Sequence, residues 1–322
     1  MGRRERMSGM SGANCLILGG GGFIGTNLAI RLREAGCRVI GFGRPARYPD
    51  ALAGLEWRDG DFADRDAVRE AVRGTDLVFH LLGAGLPEPS NRDPSSTVTD
   101  AILPSLNLLE SCRDAGCRKL VFISSGGTVY GRTGEIALAE TAPTNPISAY
   151  GVSKLTVEKY IQLFHHLHRL DYAILRVSNP FGPFQSPVHG QGLVASLIGK
   201  ALSREPVEIW GDGSTVRDYL FVDDLVDAIV AAAAYEGPHR LFNVGSGSGR
   251  SVREVVDDVA AISGKGFSEV RYLPARAADV PYNVLDCGLI ARETGWTPKT
   301  QWREGLRTTL EWTERRLGLS RP

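Results

Sequence analysis

The chain has no long apolar run. Its longest, AIVAAAAY at 228–235, falls far short of the ~20 residues a bilayer-spanning helix needs, so no membrane-spanning helix is expected. Net charge is absent too: Lys+Arg and Asp+Glu both total 37. No global field draws the chain to nucleic acid or to an anionic membrane, and a charged ligand must be held by local groups. Cysteine is sparse. Cys15, Cys37, Cys112, Cys117 and Cys287 are five, with no CxxC spacing among them, which argues against zinc or dithiol redox work and for reduced thiols in the cytoplasm. Repeats and low-complexity segments are missing. The opening MGRRERMSGMSG is basic but lacks the apolar core of a secretory signal, and a disordered leader is expected over residues 1–12.

What is present is alternation. Short β-rich runs at 14–19, 38–42, 55–62, 76–82, 119–125 and 172–178 alternate with amphipathic helical runs at 23–36, 64–74, 99–116 and 150–170. Strand–helix alternation of this kind builds parallel strands joined by crossover helices. The fold class expected is therefore α/β, a doubly wound parallel sheet. After Pro180 the texture changes: NPFGPFQSPVHGQG and GDGSTVRDY read as loops. Helices are expected at 191–204, 222–235, 251–263 and 302–316, and strands at 206–210, 240–245 and 269–273. This divides the chain into a first unit, 13–183 plus about 218–245, and a smaller α/β unit, about 184–217 plus 246–322.

LGGGGFIG at 18–25 lies between the first strand and the first helix, with Gly19, Gly22 and Gly25 at GxxGxxG spacing. Glycines there let the backbone approach a pyrophosphate, which sits at the positive end of the helix. Gly19, Gly22, Phe23, Ile24 and Gly25 are the expected cofactor segment. A dinucleotide fold usually places an acid at the end of its second strand, to bond the adenosine ribose. Here Gly43 stands at that place and Arg44 follows. Losing the carboxylate and gaining a guanidinium favours NADP over NAD; the alternative is that Arg44 stacks on adenine or points to solvent. Asp61 and Phe62 fall where the end of the third strand meets an adenine.

Tyr150 and Lys154 are four apart on an expected helix and so share a face. A neighbouring ammonium stabilises a phenolate and lowers its pKa, making Tyr150 a usable acid/base. Taken with the glycine loop, and with FISSGGTVYG, YGVSK, RVSNPFGPFQ, WGDGSTVRDYLFVDDL and PARAAD in that order, the chain resembles the extended short-chain dehydrogenase/reductase family, and within it the nucleotide-sugar epimerases. The resemblance spans about residues 13–315. It implies a Rossmann-type first unit, a nucleotide-sugar-binding second unit, and a dimer through the helix bearing Tyr150 and the one before it, with Leu155, Ile161 and Leu108 as candidate interface positions or ordinary core. It also implies that Tyr150 exchanges a proton with a sugar hydroxyl, while Lys154 holds the cofactor ribose and tunes Tyr150.

Two departures from the family pattern stand out. The Ser or Thr expected four positions before Tyr130 is Gly126, and the usual asparagine near the nicotinamide is Ala101. Together they point to a roomier pocket. Strand side chains alternate, so Thr128 or Ser124, two residues to either side, can supply the missing hydroxyl, Thr128 being nearer the strand end; a water or a substrate hydroxyl is the other candidate.

For a nucleotide diphosphate the resemblance assigns Arg217 and Arg276, with Asn179 at the phosphate or sugar and Gln191 to Leu193 near the base. Structural salt bridges, such as Arg217 with Asp218 or Asp279, are the plain alternative. Asn283 matches a position where a bulkier side chain restricts N-acetylated sugars. The Asp-Glu pair of the family's dehydratases is replaced by Gly127 and Thr128, so dehydration lacks its carboxylate. A 4-epimerase is the expected activity on a UDP-hexose or UDP-N-acetylhexosamine, with tightly held NAD. The alternatives are an NADPH-dependent 4-keto-6-deoxysugar reductase and a non-catalytic nucleotide-binding sensor. No metal site is expected, since His165 and His168 have no nearby acid or cysteine.

Overall fold

The structure, a computed structural model, describes residues 10–319 apart from 84, 86, 135, 188–191 and 276–279. Its strands are β1 (Asn14–Leu18), β2 (Arg38–Gly43), β3 (Glu56–Asp59), β4 (Leu77–His80), β5 (Lys119–Ser125), β6 (Ala137–Leu138), β7 (Asp171–Val177), β8 (Asn179–Phe181), β9 (Val207–Trp210), β10 (Val216–Phe221), β11 (Leu241–Val244), β12 (Gly249–Ser251), β13 (Val270–Leu273) and β14 (Tyr282–Leu285). Seven of them form one sheet in the order β11-β7-β5-β4-β1-β2-β3, and every neighbouring pair is parallel. The strand order reverses between β1 and β4. Such a switch point opens a crevice at the carboxyl ends of the strands, where α/β sheets bind ligands.

The two faces are covered separately. On one, α1 (Phe23–Glu34) and the helix Val222–Ala234 pack Leu28, Leu32, Leu225 and Ile229 against Ile17, Phe79 and Leu175. On the other lie α2 (Arg65–Val72), α3 (Leu103–Ala115) and α4 (Ala149–His168), which bury Val68, Leu108, Leu109, Val157 and Ile161 against Leu16, Phe122 and Ile174. Leu108 and Ile161 are thus ordinary core, and Leu155 packs against Val129, Tyr130 and Leu285. A π-helical turn, Val98–Ile102, leads into α3. Its cause is local: Pro104 has no N–H for an i→i−4 bond, and Leu103 N–H reaches back to Val98 O instead.

A further apolar cluster joins β9 and β10 to three helices, α5 (Leu193–Ser203), α6 (Val252–Ser263) and α7 (Trp302–Arg316), through Leu197, Ile209, Tyr219, Phe221, Val255 and Leu306. Two expectations are corrected here. GDGSTVRDY does not end as a loop, because β10 begins at Val216 and pairs with β8, β12 and β14. NPF belongs to β8, pinned to β10 by Asn179 Nδ2 donating to Asp218 O at 2.9 Å. A unit boundary near 218 therefore falls inside a strand. Of the stretch expected as a leader, residues 1–9 lie outside the described residues; Met10 is buried against Cys37, whose thiol donates to its carbonyl.

Candidate active site

The glycine loop leaves β1 at the switch point. Gly19 has φ +84°, open only to glycine at low cost. At Gly25 a Cβ would lie 2.2 Å from Gly19 O, so a side chain there would split the loop from its helix. The N-cap of α1 is Gly22, with no side chain to cap the helix, and the first turn carries no acid. Phe23, Ile24 and Gly25 thus open the helix with uncapped backbone donors, a cradle suited to an anion. This is the shape a dinucleotide pyrophosphate needs.

Across the switch point, the loop after β4 runs beside α4. A Cβ on Gly83 would sit 3.0 Å from Lys154 Nζ and 3.8 Å from the Tyr150 ring. Ser148 caps α4 by accepting from Gly151 N–H at 3.1 Å, and Tyr150 N–H donates to Ser90 Oγ at 3.1 Å, so the start of the helix is held from two sides. Lys154 is buried and donates to Ile123 O at 2.8 Å and Leu82 O at 3.2 Å, with Nζ 5.9 Å from the Tyr150 ring centroid. Burial lowers its pKa to about 8, against a smaller upward pull from Glu158. Burial likewise raises Tyr150 to about 12. In the protein by itself burial is the cause that acts on the phenol, and the Lys154 ammonium is bound to two carbonyls. Among the described residues the phenol oxygen has no partner.

The hydroxyl question resolves in part. Ser124 is withdrawn from the cleft, since its Oγ donates to the buried carboxylate of Glu158. Glu158 pairs with Arg176 at 2.7 Å, both almost wholly enclosed, and Arg176 donates on to Tyr130 Oη at 3.1 Å. Thr128 stays beside α4: its carbonyl is 2.9 Å from where a Cβ on Gly151 would be. The residue is half-buried, while its Oγ1 is shielded and unpartnered. Gly126 leaves no void. A Cβ there would be 2.6 Å from Leu285 Cδ1, so the roomier pocket expected at this position is filled by Leu285. Asn283, on the same face of β14 as Leu285, donates its Nδ2 to Gly126 O at 3.0 Å, and its Oδ1 is buried without a partner.

A cavity of about 330 Å³ opens between β8, β9, β10 and α5. Asn179, Leu193 and Arg217 line it, with Lys200, Trp210 and Tyr219. Asp218 does not neutralise Arg217; its buried carboxylate accepts from Ser246 N–H and Oγ, each at 2.7 Å, and from Gly247 and Leu285 N–H. Gln191 and Arg276 lie outside the described residues. At the adenosine end Arg44 is exposed. Asp61 is exposed and accepts from Ala63 N–H at 2.9 Å, whereas the Phe62 ring is turned into packing 5.0 Å from His80.

Sequence reasoning missed several groups. Glu158 continues the 150, 154 spacing by one more turn, a signal that was available. Ser178 Oγ is buried and unpartnered, as is His80 Nδ1. Burial holds His80 neutral, its pKa lowered to about 3, while its Nε2 lies 2.9 Å from Ser105 Oγ. Among the described residues no cluster of His, Cys, Asp and Glu could hold a metal ion, and no helix is long and apolar enough to cross a membrane.

Comparison with known proteins follows the same outline. The model of the NAD dependent epimerase/dehydratase family matches residues 15–245. A UDP-glucose 4-epimerase of Mycolicibacterium smegmatis is 34% identical over 305 residues, covering 92% of this chain and 97% of that one. The crystal structure of a Thermotoga maritima UDP-glucose 4-epimerase with UDP-glucose superposes at TM-score 0.90 and 33% identity, covering 94% and 99% of the two chains. A Thermus thermophilus UDP-glucose 4-epimerase in complex with NAD gives 0.87 and 32%, covering 93% and 98%.

Proposed function

The chain belongs to the NAD-dependent epimerase/dehydratase family, and from that membership and the geometry of its cleft we propose that it is a nucleotide-sugar 4-epimerase acting on a UDP-hexose or UDP-N-acetylhexosamine. The observation that carries the reading is the placing of Tyr150 and Lys154 beside Gly83, across the switch point from a glycine cradle on α1. A nicotinamide bound there supplies reversible hydride exchange at carbon 4 of the sugar. Tyr150 takes the proton of the 4-hydroxyl and returns it. Lys154, fixed by two carbonyls, holds the cofactor ribose and biases the phenol toward ionisation when a cationic ring adds to its own charge. Thr128 turns about χ1 to face the same oxygen, and it forfeits nothing in doing so because its hydroxyl has no partner to leave.

On the substrate side, Arg217 and Arg276 are assigned to the diphosphate, Asn179 to the phosphate or sugar, and Gln191 with Leu193 to the base. A cavity of about 330 Å³ is the size of a small-ligand site. The unpartnered Oδ1 of Asn283 supports acceptance of an N-acetyl group, whose N–H would satisfy it. A homodimer is supported by the exposed apolar positions Val152, Leu163 and Leu167 on one face of α4, with Val98 and Leu103 before and at the start of α3. Buried free thiols support a reducing compartment such as the cytoplasm.

The test is to denature the purified protein, identify any released dinucleotide, and assay UDP-glucose, UDP-GlcNAc and their 4-epimers. Interconversion with a retained dinucleotide is the expected result. A second reading, a 4-keto-6-deoxysugar reductase, is favoured by Gly43 and Arg44; it predicts an empty site that consumes NADPH only with a 4-keto sugar. Binding without turnover of any sugar nucleotide would leave only a sensor.

A further inference from the structure

We propose that Tyr48 is the latch of a short strap, residues 44–48, which closes over the glycine cradle and sets how long the protein keeps its dinucleotide. The inference rests on the reading of the cleft as a nicotinamide-dinucleotide site and concerns retention of that group, which an epimerase needs between its two hydride steps. The strap leaves β2 at Gly43, where φ is +139° and a Cβ would meet only open space, so this end can turn at low cost. It then lies on the cofactor loop. A Cβ on Gly21 would be 2.7 Å from Ala46 Cα, and Arg47 N–H donates to Gly21 O at 3.3 Å. Glycine at 21 is what lets the two backbones approach.

Little in the backbone holds the strap. Among the described residues the Arg47 bond is its only backbone hydrogen bond to the loop, and it is a long one. Pro45 has no N–H to give, and Arg44, Pro45 and Arg47 are exposed. Segments with so few buried contacts are the first to open. The hold comes from Tyr48, which is buried. Its ring meets Phe184 edge-on at 5.2 Å and Trp312 at 5.7 Å, and those two rings lie 5.5 Å apart. The Arg316 guanidinium sits 5.6 Å from the Tyr48 ring. The catch is fixed in its turn. Phe184 has φ +68°, a costly conformation for a bulky residue that persists only where the surroundings impose it. Next to it, Pro183 O accepts from Asn27 Nδ2 at 3.0 Å, which ties this turn to α1, the helix that opens at the cradle. Trp312 and Arg316 come from α7. Tyr48 thus fastens a loosely bonded strap to two segments far along the chain.

The experiment follows release of dinucleotide from the full chain. Protein stripped of nucleotide and reloaded with NADH is chased with excess NAD+, and the fluorescence of the bound reduced ring reports the dissociation rate. Tyr48→Ala is expected to release NADH about tenfold or more faster than the unaltered protein, the scale of two lost aromatic pairs. Trp312→Ala should do the same from the far side of the contact. Tyr48→Phe should keep the slow rate, because the ring is the catch. In the unaltered protein, where no variant has to fold, tryptic cleavage after Arg47 should slow when NAD+ is added. Release from Tyr48→Ala no faster than from the unaltered protein overturns the proposal, even if that variant melts at a lower temperature. So does release from Tyr48→Phe as fast as from Tyr48→Ala, or cleavage after Arg47 that is indifferent to NAD+. Failure of the unaltered protein to bind NADH or NAD+ would instead strike at the dinucleotide reading of the cleft itself.

Discussion

Two hydroxyls near Gly126 differ in what they hold, and that difference is measurable one residue at a time. Ser124 is bonded to Glu158, whose charge is buried with Arg176. Removing a donor from a buried carboxylate costs about 1–3 kcal/mol, so Ser124→Ala should lower stability while the folded fraction keeps its turnover. Thr128 holds nothing in the free protein. Thr128→Val should leave the unfolding midpoint unchanged or raised and cut turnover about tenfold or more, the range expected for a lost oxygen-stabilising donor. Urea unfolding and steady-state kinetics on the two variants check this; equal small effects on turnover would discard Thr128. Lys154 gives a pH signature. Its pKa is about 8 when folded and ordinarily 10.5, so from pH 8 to 10.5 the unfolded chain binds a proton the native one lacks. Stability gains with rising pH through that window, by up to about 3 kcal/mol. Tyr150 acts oppositely and only above pH 10, since the folded phenol keeps its proton to about 12. The stability difference between the unaltered protein and Lys154→Met should therefore grow from pH 8 to 10, and a flat difference would contradict the burial argument.

At the level of elements, the site is made by ends of strands rather than by any one of them. β5 stops where β14 arrives, and Leu285 takes the space beside Gly126. Gly126→Ser alone should clash, lose stability and lose activity. Adding Leu285→Ala removes the obstructing methyls and should recover much of the stability, so the pair is expected to be strongly non-additive. Thermal melts of the two single variants and the double variant decide it; additive losses would mean that Leu285 is not the obstacle. The helix α4 works as a ruler. Tyr150, Lys154 and Glu158 stand on one face at single-turn intervals, with the reactive pair at the cleft and the carboxylate locked to Arg176 below it. That deep ion pair sets the register of the helix on the sheet, and the reactive pair inherits its position.

For the whole molecule, the sheet and the cluster around β9 and β10 meet along β8, β10 and β14, and the cavity holding Arg217 opens on that junction. A substrate reaching from Arg217 to Tyr150 would touch both parts. The apolar face left on α4 belongs to this scale as well. Leu163→Glu with Leu167→Glu should convert a dimer to a monomer in light scattering after size exclusion. Both positions are exposed, at 44% and 58%, so the monomer should stay folded. A chain that is monomeric before substitution would remove the reason for that face.

The order of strands and helices in the first half, the glycine cradle and the Tyr150–Lys154 spacing were all readable from local pattern, because periodicity, turn chemistry and helical spacing are properties of neighbouring residues. β8, β10 and β14 were not, since β8 is three residues with a central proline, β10 carries Arg217 and Asp218 in its first half, and all three are stabilised by partners distant in the chain. The same reason separates Thr128 from Ser124. Both are hydroxyls two positions from Gly126, and only the packing of α4 against β5 and β7 commits one to Glu158 and leaves the other unpartnered. The replacement at Gly126 was visible as a missing side chain, but Leu285, more than 150 residues later, is what fills its place. Local sequence determined which chemistry the chain carries; burial and long-range contact decided which of its groups remain available to perform it.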